Sequence, residues 1–209
     1  MRQVYCSKLC RQTAWRARKL AVSEDVATTR KRLKYADPPY PGLSRKYYRD
    51  EPTFAGEVDH AALIESLTAS SDGWALSTSA RALRDLLPLC PPTVRLCVWL
   101  KANHPSRLTR GPHNVWEAVI VQPARLRRPG VADYLYAAPA KGGDSDLPGR
   151  KPLKFCMWLF ALLGASPMDD FDDLFPGSGV VARSWRQFCR VSLPPAGDVS
   201  FGAGADGAP

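Results

Sequence analysis

Strand-like and helix-like patterns alternate along most of this chain, and their order constrains the fold more than any other feature. Apolar residues fall on one helical face over Glu57–Ser70, and the run "WALSTS" that follows is typical of a strand. A second helix is predicted by "ARALRDLLPL", and two strands in succession by "TVRLCVWL" and "NVWEAVIVQP". Alternation of this kind favours a mostly parallel sheet, while the two successive strands predict an antiparallel hairpin at the sheet edge.

Strand and helix patterns continue in the second half of the chain after one connecting segment. Residues 137–150 are rich in Gly, Pro and Asp and predict a flexible connection. An apolar helix ending near Gly164 is predicted by "KPLKFCMWLFALLG", and "FDDLFPGSGVVARSWRQF" predicts a strand, a glycine turn and a helix. The fold class is therefore α/β, with a shortened, mostly parallel sheet and an antiparallel edge hairpin.

Charge and composition divide the chain into three parts. Ten Lys or Arg residues stand against two acidic residues in residues 1–34, whereas the rest of the chain is nearly balanced. We expect a basic leader at residues 1–32, one domain at 33–192, and a flexible tail at 193–209 that is too poor in large apolar residues to pack. The leader could follow a phosphate backbone, or it could be a solvated arm without a specific partner.

Cysteine usage and hydropathy bear on the cellular compartment. Six cysteines follow no repeating spacing, which favours free thiols in a reducing compartment over a secreted disulfide framework. No apolar run approaches the roughly 20 residues that span a bilayer. We therefore expect a cytoplasmic protein that does not enter the membrane.

The stretch "LKYADPPYPG" at residues 33–42 ends an apolar run with an aspartate and two prolines. Each proline lacks an N–H and has a fixed φ, so neither a helix nor an interior strand can continue through it. A rigid loop that carries an acid is predicted at the end of a strand.

A glycine turn is predicted by "DDLFPGSGVVARSW", where Gly177 and Gly179 stand between a strand and a helix. Glycines there let the backbone approach a ligand, and the first N–H groups of the helix are free to donate. No Lys-Ser or Lys-Thr pair follows, as a P-loop requires, and Ala182 stands where a dinucleotide fingerprint has its third glycine. Taken alone, a G-x-G of this kind is more often a plain connection.

Taken together, three motifs resemble those of the amino-group DNA methyltransferases that use S-adenosylmethionine (SAM). They are "DPPY" at 37–40, "KPLKF" at 151–155 and "DLFPGSG" at 173–179. Their order, with the catalytic loop first and the cofactor glycines last, is similar to the β arrangement of that family, of phage or mobile-element type. The resemblance implies a Rossmann-like methyltransferase fold with SAM as cofactor and DNA as substrate.

The resemblance also implies a catalytic role for Asp37, Pro38, Pro39 and Tyr40. The Asp37 carboxylate and the Pro38 carbonyl would accept the two hydrogens of an exocyclic amine, the prolines would hold these acceptors still, and Tyr40 would stack on a base flipped out of the duplex. No metal is needed for this chemistry. Asp37 favours adenine-N6 over cytosine-N4 methylation, because the cytosine branch more often has Ser at this position.

Cofactor contacts are implied for two stretches. Asp173, Phe175, Gly177, Ser178 and Gly179 would hold the amino-acid end of SAM, and Lys151 with Pro152 would line the same cleft. The chain departs from the family in one respect. The family usually has an acidic residue at the end of the next strand, where it binds the ribose of the cofactor, but here the stretch after the glycine turn has no carboxylate before Asp198.

Basic loops are the candidates for DNA contact, since no separate recognition domain is visible. The loop after the catalytic turn combines Arg45, Lys46 and Arg49 with Tyr47, a mixture that suits unstacked bases. Phosphate contacts are predicted for two further groups of arginines, Arg107 with Arg110, and Arg125 with Arg127 and Arg128.

Three alternatives remain open from the sequence, and one of them is RNA in place of DNA as the substrate. Cys6 and Cys10 resemble half of a zinc ribbon, which lacks the other two of the four ligands that zinc needs, so we expect the site to be missing or vestigial. The missing ribose carboxylate supports a different class of function, a non-catalytic nucleic-acid-binding protein on a worn methyltransferase scaffold. Neither the recognition sequence nor the oligomeric state can be read from the chain.

Overall fold

A single mixed sheet with helices on both faces forms the fold. The computed structural model describes residues 29–41, 56–101, 114–126, 130–140 and 150–192. The strands are β1 (Arg32–Ala36), β2 (Gly73–Thr78), β3 (Arg95–Leu100), β4 (Trp116–Gln122), β5 (Tyr134–Tyr136) and β6 (Asp170–Asp173). The helices are α1 (His60–Ser70), α2 (Leu83–Leu86, between the 3₁₀ turns Ala80–Ala82 and Leu87–Leu89), α3 (Leu153–Leu163) and α4 (Val180–Ser192).

The strands lie in the order β5-β3-β4-β2-β1-β6. Strand β4 pairs antiparallel with β2 and with β3, whereas the other three pairings are parallel. The predicted α/β class, with its shortened sheet and antiparallel pair, is confirmed. Strand β5 is an addition to the prediction, because it lies outside the hairpin and takes the edge position from β3.

Alternate residues of each strand face opposite sides of the sheet, and each side is covered by different helices. One core lies under α3 and α4, and the other lies under α1 and α2. The first core includes Leu33, Tyr35, Cys97, Trp99, Val119, Phe155, Leu159 and Leu163. The second core includes Ala36, Ile64, Leu67, Trp74, Leu76, Leu86 and Ile120.

A crevice forms where β1 and β6 end side by side. Helix α1, the first described helix after β1, contributes to one core, and α4, which follows β6, contributes to the other, so these two helices cover opposite faces of the sheet. This is a topological switch point, the place where open α/β sheets usually bind ligands.

Local signals explain where the helices begin and end. Helix α1 begins after Asp59, whose carboxylate accepts a hydrogen bond from the Ala62 N–H at 3.0 Å. Helix α3 ends at Gly164, which has a φ of 69° and lies against the Arg125 backbone, so a side chain there would be strained and would clash.

A buried ion pair lies at the end of the strands opposite the crevice. Arg125 donates from both terminal nitrogens to the Asp169 carboxylate at 2.7 Å, with side chains 7% and 0% exposed. Asp169 also accepts from the backbone N–H of Lys31 and of Ser166. The prediction that Arg125 contacts phosphates is therefore wrong, because its guanidinium is buried against Asp169.

Two further properties concern the described ranges alone. None of their helices has both the length and the apolar character to cross a membrane. Their cysteines, Cys90, Cys97, Cys156 and Cys189, are free thiols. Cys6 and Cys10 of the zinc-ribbon hypothesis lie outside the described residues, as do most of the predicted leader and the predicted tail.

Candidate active site

The predicted catalytic loop and the predicted cofactor turn meet at the crevice between β1 and β6. Tyr35 of β1 pairs with Asp173 of β6, and the Leu174 N–H donates to the Tyr35 carbonyl at 2.9 Å. Asp37 directly follows β1 and Asp173 is the last residue of the neighbouring parallel strand β6, so both lie at the same end of the strands. Motifs separated by more than 130 residues in sequence are brought into one site.

Strand β1 ends as its proline loop predicts. Pro38 is buried, while Pro39 and Tyr40 are half-buried and the Asp37 side chain remains 30% exposed. Because the prolines have no N–H and a fixed φ, the loop stays close to the end of the strand and does not pair further. An acid is thus held at the crevice with one side open to solvent.

Lys151 joins the proline loop to the start of α3. Its Nζ lies 3.0 Å from Asp37 Oδ2 and 3.2 Å from Oδ1, and its side chain is only 6% exposed. The expectation that Lys151 lines the cleft was made from the resemblance, which gave no hint of this ion pair with the predicted catalytic acid. Pro152 is the N-cap of α3.

Sequence reasoning missed two members of this ion network, Glu117 and Lys101. Glu117 Oε1 accepts from Lys151 in a short ion pair, and Glu117 Oε2 lies 2.9 Å from Lys101 Nζ. Both lysines lie over the Trp99 ring, with their Nζ atoms 5.1 and 5.2 Å from its centroid. We call Lys101, Glu117, Lys151 and Asp37 the charged row. The signal in the sequence was a glutamate within the apolar strand "NVWEAVIV".

Opposite charges in the charged row outweigh the effect of burial for two of its members. Burial alone would raise the pKa of Glu117, but Lys151 and Lys101 lower it to about 2. Burial alone would lower the pKa of Lys151, but Asp37 and Glu117 raise it above its usual value. For Asp37, burial prevails over the attraction of Lys151 and raises the pKa.

The glycine turn adopts a left-handed backbone at both of its glycines. Gly177 has a φ of 46° and Gly179 a φ of 69°. A Cβ on Gly177 would come no closer than 3.9 Å to the Phe175 carbonyl, so the turn is open on that side. The Ser178 carbonyl accepts from Arg183 at 2.9 Å, which ties the turn to the first part of α4. Phe175 packs partly buried against the core under α1.

Asp173 presents a carboxylate without a hydrogen-bond partner. Both side-chain oxygens are shielded from solvent, and neither has a partner at hydrogen-bonding geometry. Burial raises the pKa of Asp173 to about 6 and the charge of Asp37 adds to the shift, while the nearby Phe175 N–H, which does not reach hydrogen-bonding geometry, partly opposes it. A buried acid without a partner is costly to a fold, and such groups often mark a ligand site.

The remaining predicted contacts concern the outer edge of β6 and residues that the structure does not describe. In the described part of the chain no strand pairs with the outer edge of β6. The predicted DNA contacts Arg45, Lys46, Tyr47 and Arg49, Arg107 and Arg110, and Arg127 and Arg128 all lie outside the described residues.

Comparison with known proteins identifies the fold. The structure of M1.HpyAVI in complex with SAM matches with a TM-score of 0.52 and 14% sequence identity, over 90% of this chain and 89% of that one. A second structure of M1.HpyAVI matches with a TM-score of 0.46 and 14% identity, over 90% and 88%. No protein-family model matches, and no curated protein matches with a significant score. The fold is the methyltransferase fold of M1.HpyAVI.

Proposed function

We propose that this protein is a DNA methyltransferase that transfers a methyl group from SAM to the exocyclic N6 amine of adenine. One observation carries the proposal: the acid of the proline loop and the unpartnered acid of the glycine turn lie side by side at the switch point of a methyltransferase fold. The M1.HpyAVI structure that matches this chain is a complex with SAM, which supports the choice of cofactor.

The residues of the glycine turn fit the amino-acid end of SAM. Asp173 would accept from the ammonium group, which would supply the partner that its carboxylate lacks. Gly177 leaves the backbone open for the close approach of SAM. The first N–H groups of α4 could donate to the carboxylate of SAM. When bound, SAM supplies an electrophilic methyl group on its sulfonium.

Asp37 and Pro38 would prepare the attacking amine. The lone pair of an adenine N6 is delocalised into the ring, so the amine is a poor nucleophile until its geometry changes. The Asp37 carboxylate and the Pro38 carbonyl would accept the two amine hydrogens and direct the lone pair out of the ring plane. Lys151 holds one side of the carboxylate, and the exposed side is left for the amine. Acceptors that are fixed in advance stabilise the positive charge that develops on nitrogen.

The adenine would reach this site only after leaving the duplex. Tyr40, half-buried beside the proline loop, offers an aromatic face on which the flipped base could stack. The predicted contacts of Arg45, Lys46 and Arg49 with unstacked bases, and of Arg107 and Arg110 with phosphates, would hold the DNA.

Changing Asp173 to Asn is predicted to weaken the binding of SAM and to stabilise the folded protein when no SAM is bound. Loss of the carboxylate removes the charge partner of the ammonium, so calorimetry should show an affinity lower by at least about 30-fold at pH 7.5. The pKa of Asp173 is raised in the folded state, so its ionised form opposes folding above about pH 6. The melting temperature of the apo variant should therefore exceed that of wild type at pH 7.5 and approach it near pH 4.

The same acid predicts a pH dependence of SAM affinity in wild type. Below about pH 6 the Asp173 carboxylate takes up a proton and loses its attraction for the ammonium, which keeps its charge in this range. Affinity should fall as the pH drops from 7 to 5 in wild type and stay nearly flat in Asp173→Asn. Equal slopes for the two proteins would remove Asp173 from the cofactor site.

Transfer of a labelled methyl group from SAM to unmethylated DNA tests the proposed function itself. We expect label to accumulate in DNA with wild-type protein and to require SAM. A protein that binds DNA and SAM but transfers no label would favour the worn-scaffold alternative.

A further inference from the structure

Glu117 is a buried acid near the start of β4, directly before a run of four apolar residues. Its side chain is 2% exposed, and Val119, Ile120 and Val121 farther along β4 pack into the two cores. Across the sheet it stands opposite Trp99 of β3, at the end of the sheet that carries the crevice. A carboxylate is unfavourable in such a place unless cations meet it, and here Lys101 and Lys151 do so.

Glu117 completes the set of oxygens around the Lys151 ammonium. An ammonium has three N–H donors, and this one has both Asp37 oxygens and Glu117 Oε1 within contact distance. Lysine is a long and flexible side chain, so without Glu117 its head group could leave the interior through the open side of Asp37. Glu117 thus fixes the cation from the interior, while Asp37 meets it from the crevice.

From Glu117 toward the site, exposure increases along the charged row, while Lys101 on the other side of Glu117 is 15% exposed. Glu117 is 2% exposed, Lys151 6% and Asp37 30%. A buried ion pair adds little net stability compared with apolar residues of similar volume, so stability alone does not account for the row. The open end is the acid that the proposed reaction uses.

We propose that Glu117 is a positioning residue for methyl transfer: it anchors the Lys151 ammonium, which holds the Asp37 carboxylate in the orientation that accepts the amine hydrogens. This inference rests on the proposed function. Glu117 itself touches neither the base nor the cofactor, and its effect passes through Lys151.

Three variants separate this role from simple charge neutralisation. Glu117→Gln removes the anchoring charge but leaves two lysines facing one acid. The double variant Lys101→Met with Glu117→Gln restores the charge balance, because the Lys151–Asp37 pair is left alone. Asp169→Asn is the matched control, since it removes the carboxylate of another buried ion pair, which lies at the opposite end of the strands.

Turnover with DNA and SAM is measured for each variant at a temperature where it is folded, together with its melting temperature and its affinity for SAM. We expect Glu117→Gln to lower kcat on the order of 10-fold to 100-fold, the effect of a small misplacement of a reacting group. The KM for SAM should change by less than about threefold. The double variant should regain melting temperature but not kcat, and Asp169→Asn should lose melting temperature but keep kcat.

Two results would overturn the inference while leaving the proposed function intact. In one, the double variant regains wild-type kcat, which would mean that Glu117 only balances the lysines. In the other, Glu117→Gln keeps wild-type kcat when folded. If wild type itself transfers no methyl group while binding SAM, the proposed function has failed instead.

Discussion

Replacing Asp37 by Asn is expected to lower the rate of methyl transfer on the order of 10²–10³-fold, the effect of removing one preorganised hydrogen-bonding group. Asn has nearly the same size and leaves both prolines in place. If its NH₂ group faces the amine, two donors meet, and if its carbonyl does, the negative charge is still lost. Either way the developing positive charge on nitrogen is less well stabilised.

The loss at Asp37 should fall on kcat more than on binding. The acceptor matters most as the amine gains charge in the transition state, so the affinity for SAM should stay within a few fold. Asp72→Asn is the matched control, because Asp72 precedes β2 at the opposite end of the strands and accepts from the Arg32 N–H at 2.8 Å. Single-turnover rates on one DNA substrate compare the variants directly. An Asp37→Asn rate equal to wild type would contradict the mechanism.

The second large effect is expected in stability. Changing Asp169 to Asn should lower the free energy of unfolding by about 3–5 kcal/mol, as when one partner of a buried ion pair is removed. The Asp169 side chain is fully buried and binds Arg125 with both oxygens, while two backbone N–H groups donate to it as well. With Asn at this position the Arg125 guanidinium stays buried without its counter-charge.

The place of Asp169 between three segments of the chain adds to the expected loss in the free energy of unfolding. The ion pair joins the segment before β1, the end of β4 and the loop between α3 and β6, which are far apart in sequence. Urea unfolding at neutral pH gives the free energy. Asp85→Asn is the control, since it alters an exposed pair with Arg84 and should change stability by less than about 0.5 kcal/mol. A loss below about 1 kcal/mol in Asp169→Asn would show that the ion pair is dispensable.

Features that depend on short stretches of sequence could be predicted. Strand and helix periodicity predicted the α/β class, and the apolar run before "DPPY" predicted a strand that ends just before Asp37. Glycine preference located the turn at Gly177 and Gly179 and the end of α3 at Gly164. Strand β5 was missed, because three residues carry too little pattern to separate a strand from a loop.

Features that depend on distant partners could not be read from the sequence. Arg125 lies in a basic stretch that suggested phosphate contact, but its partner Asp169 is 44 residues away. Glu117 interrupts an apolar strand, which signals a buried acid without naming the cations that meet it. Lys151 meets Glu117 only because α3 packs over β4, and the same packing places Lys151 beside Asp37.

Nucleoside mass analysis of DNA treated with the protein tests the central claim most directly. DNA that lacks all methylation and contains every short sequence context is incubated with SAM and either wild type or Asp37→Asn, then digested to nucleosides. The account predicts N6-methyldeoxyadenosine with wild type and at least about 10²-fold less of it at equal time with the variant. Methylated cytosine alone, or no methylated nucleoside from a wild-type protein that binds SAM, would contradict it.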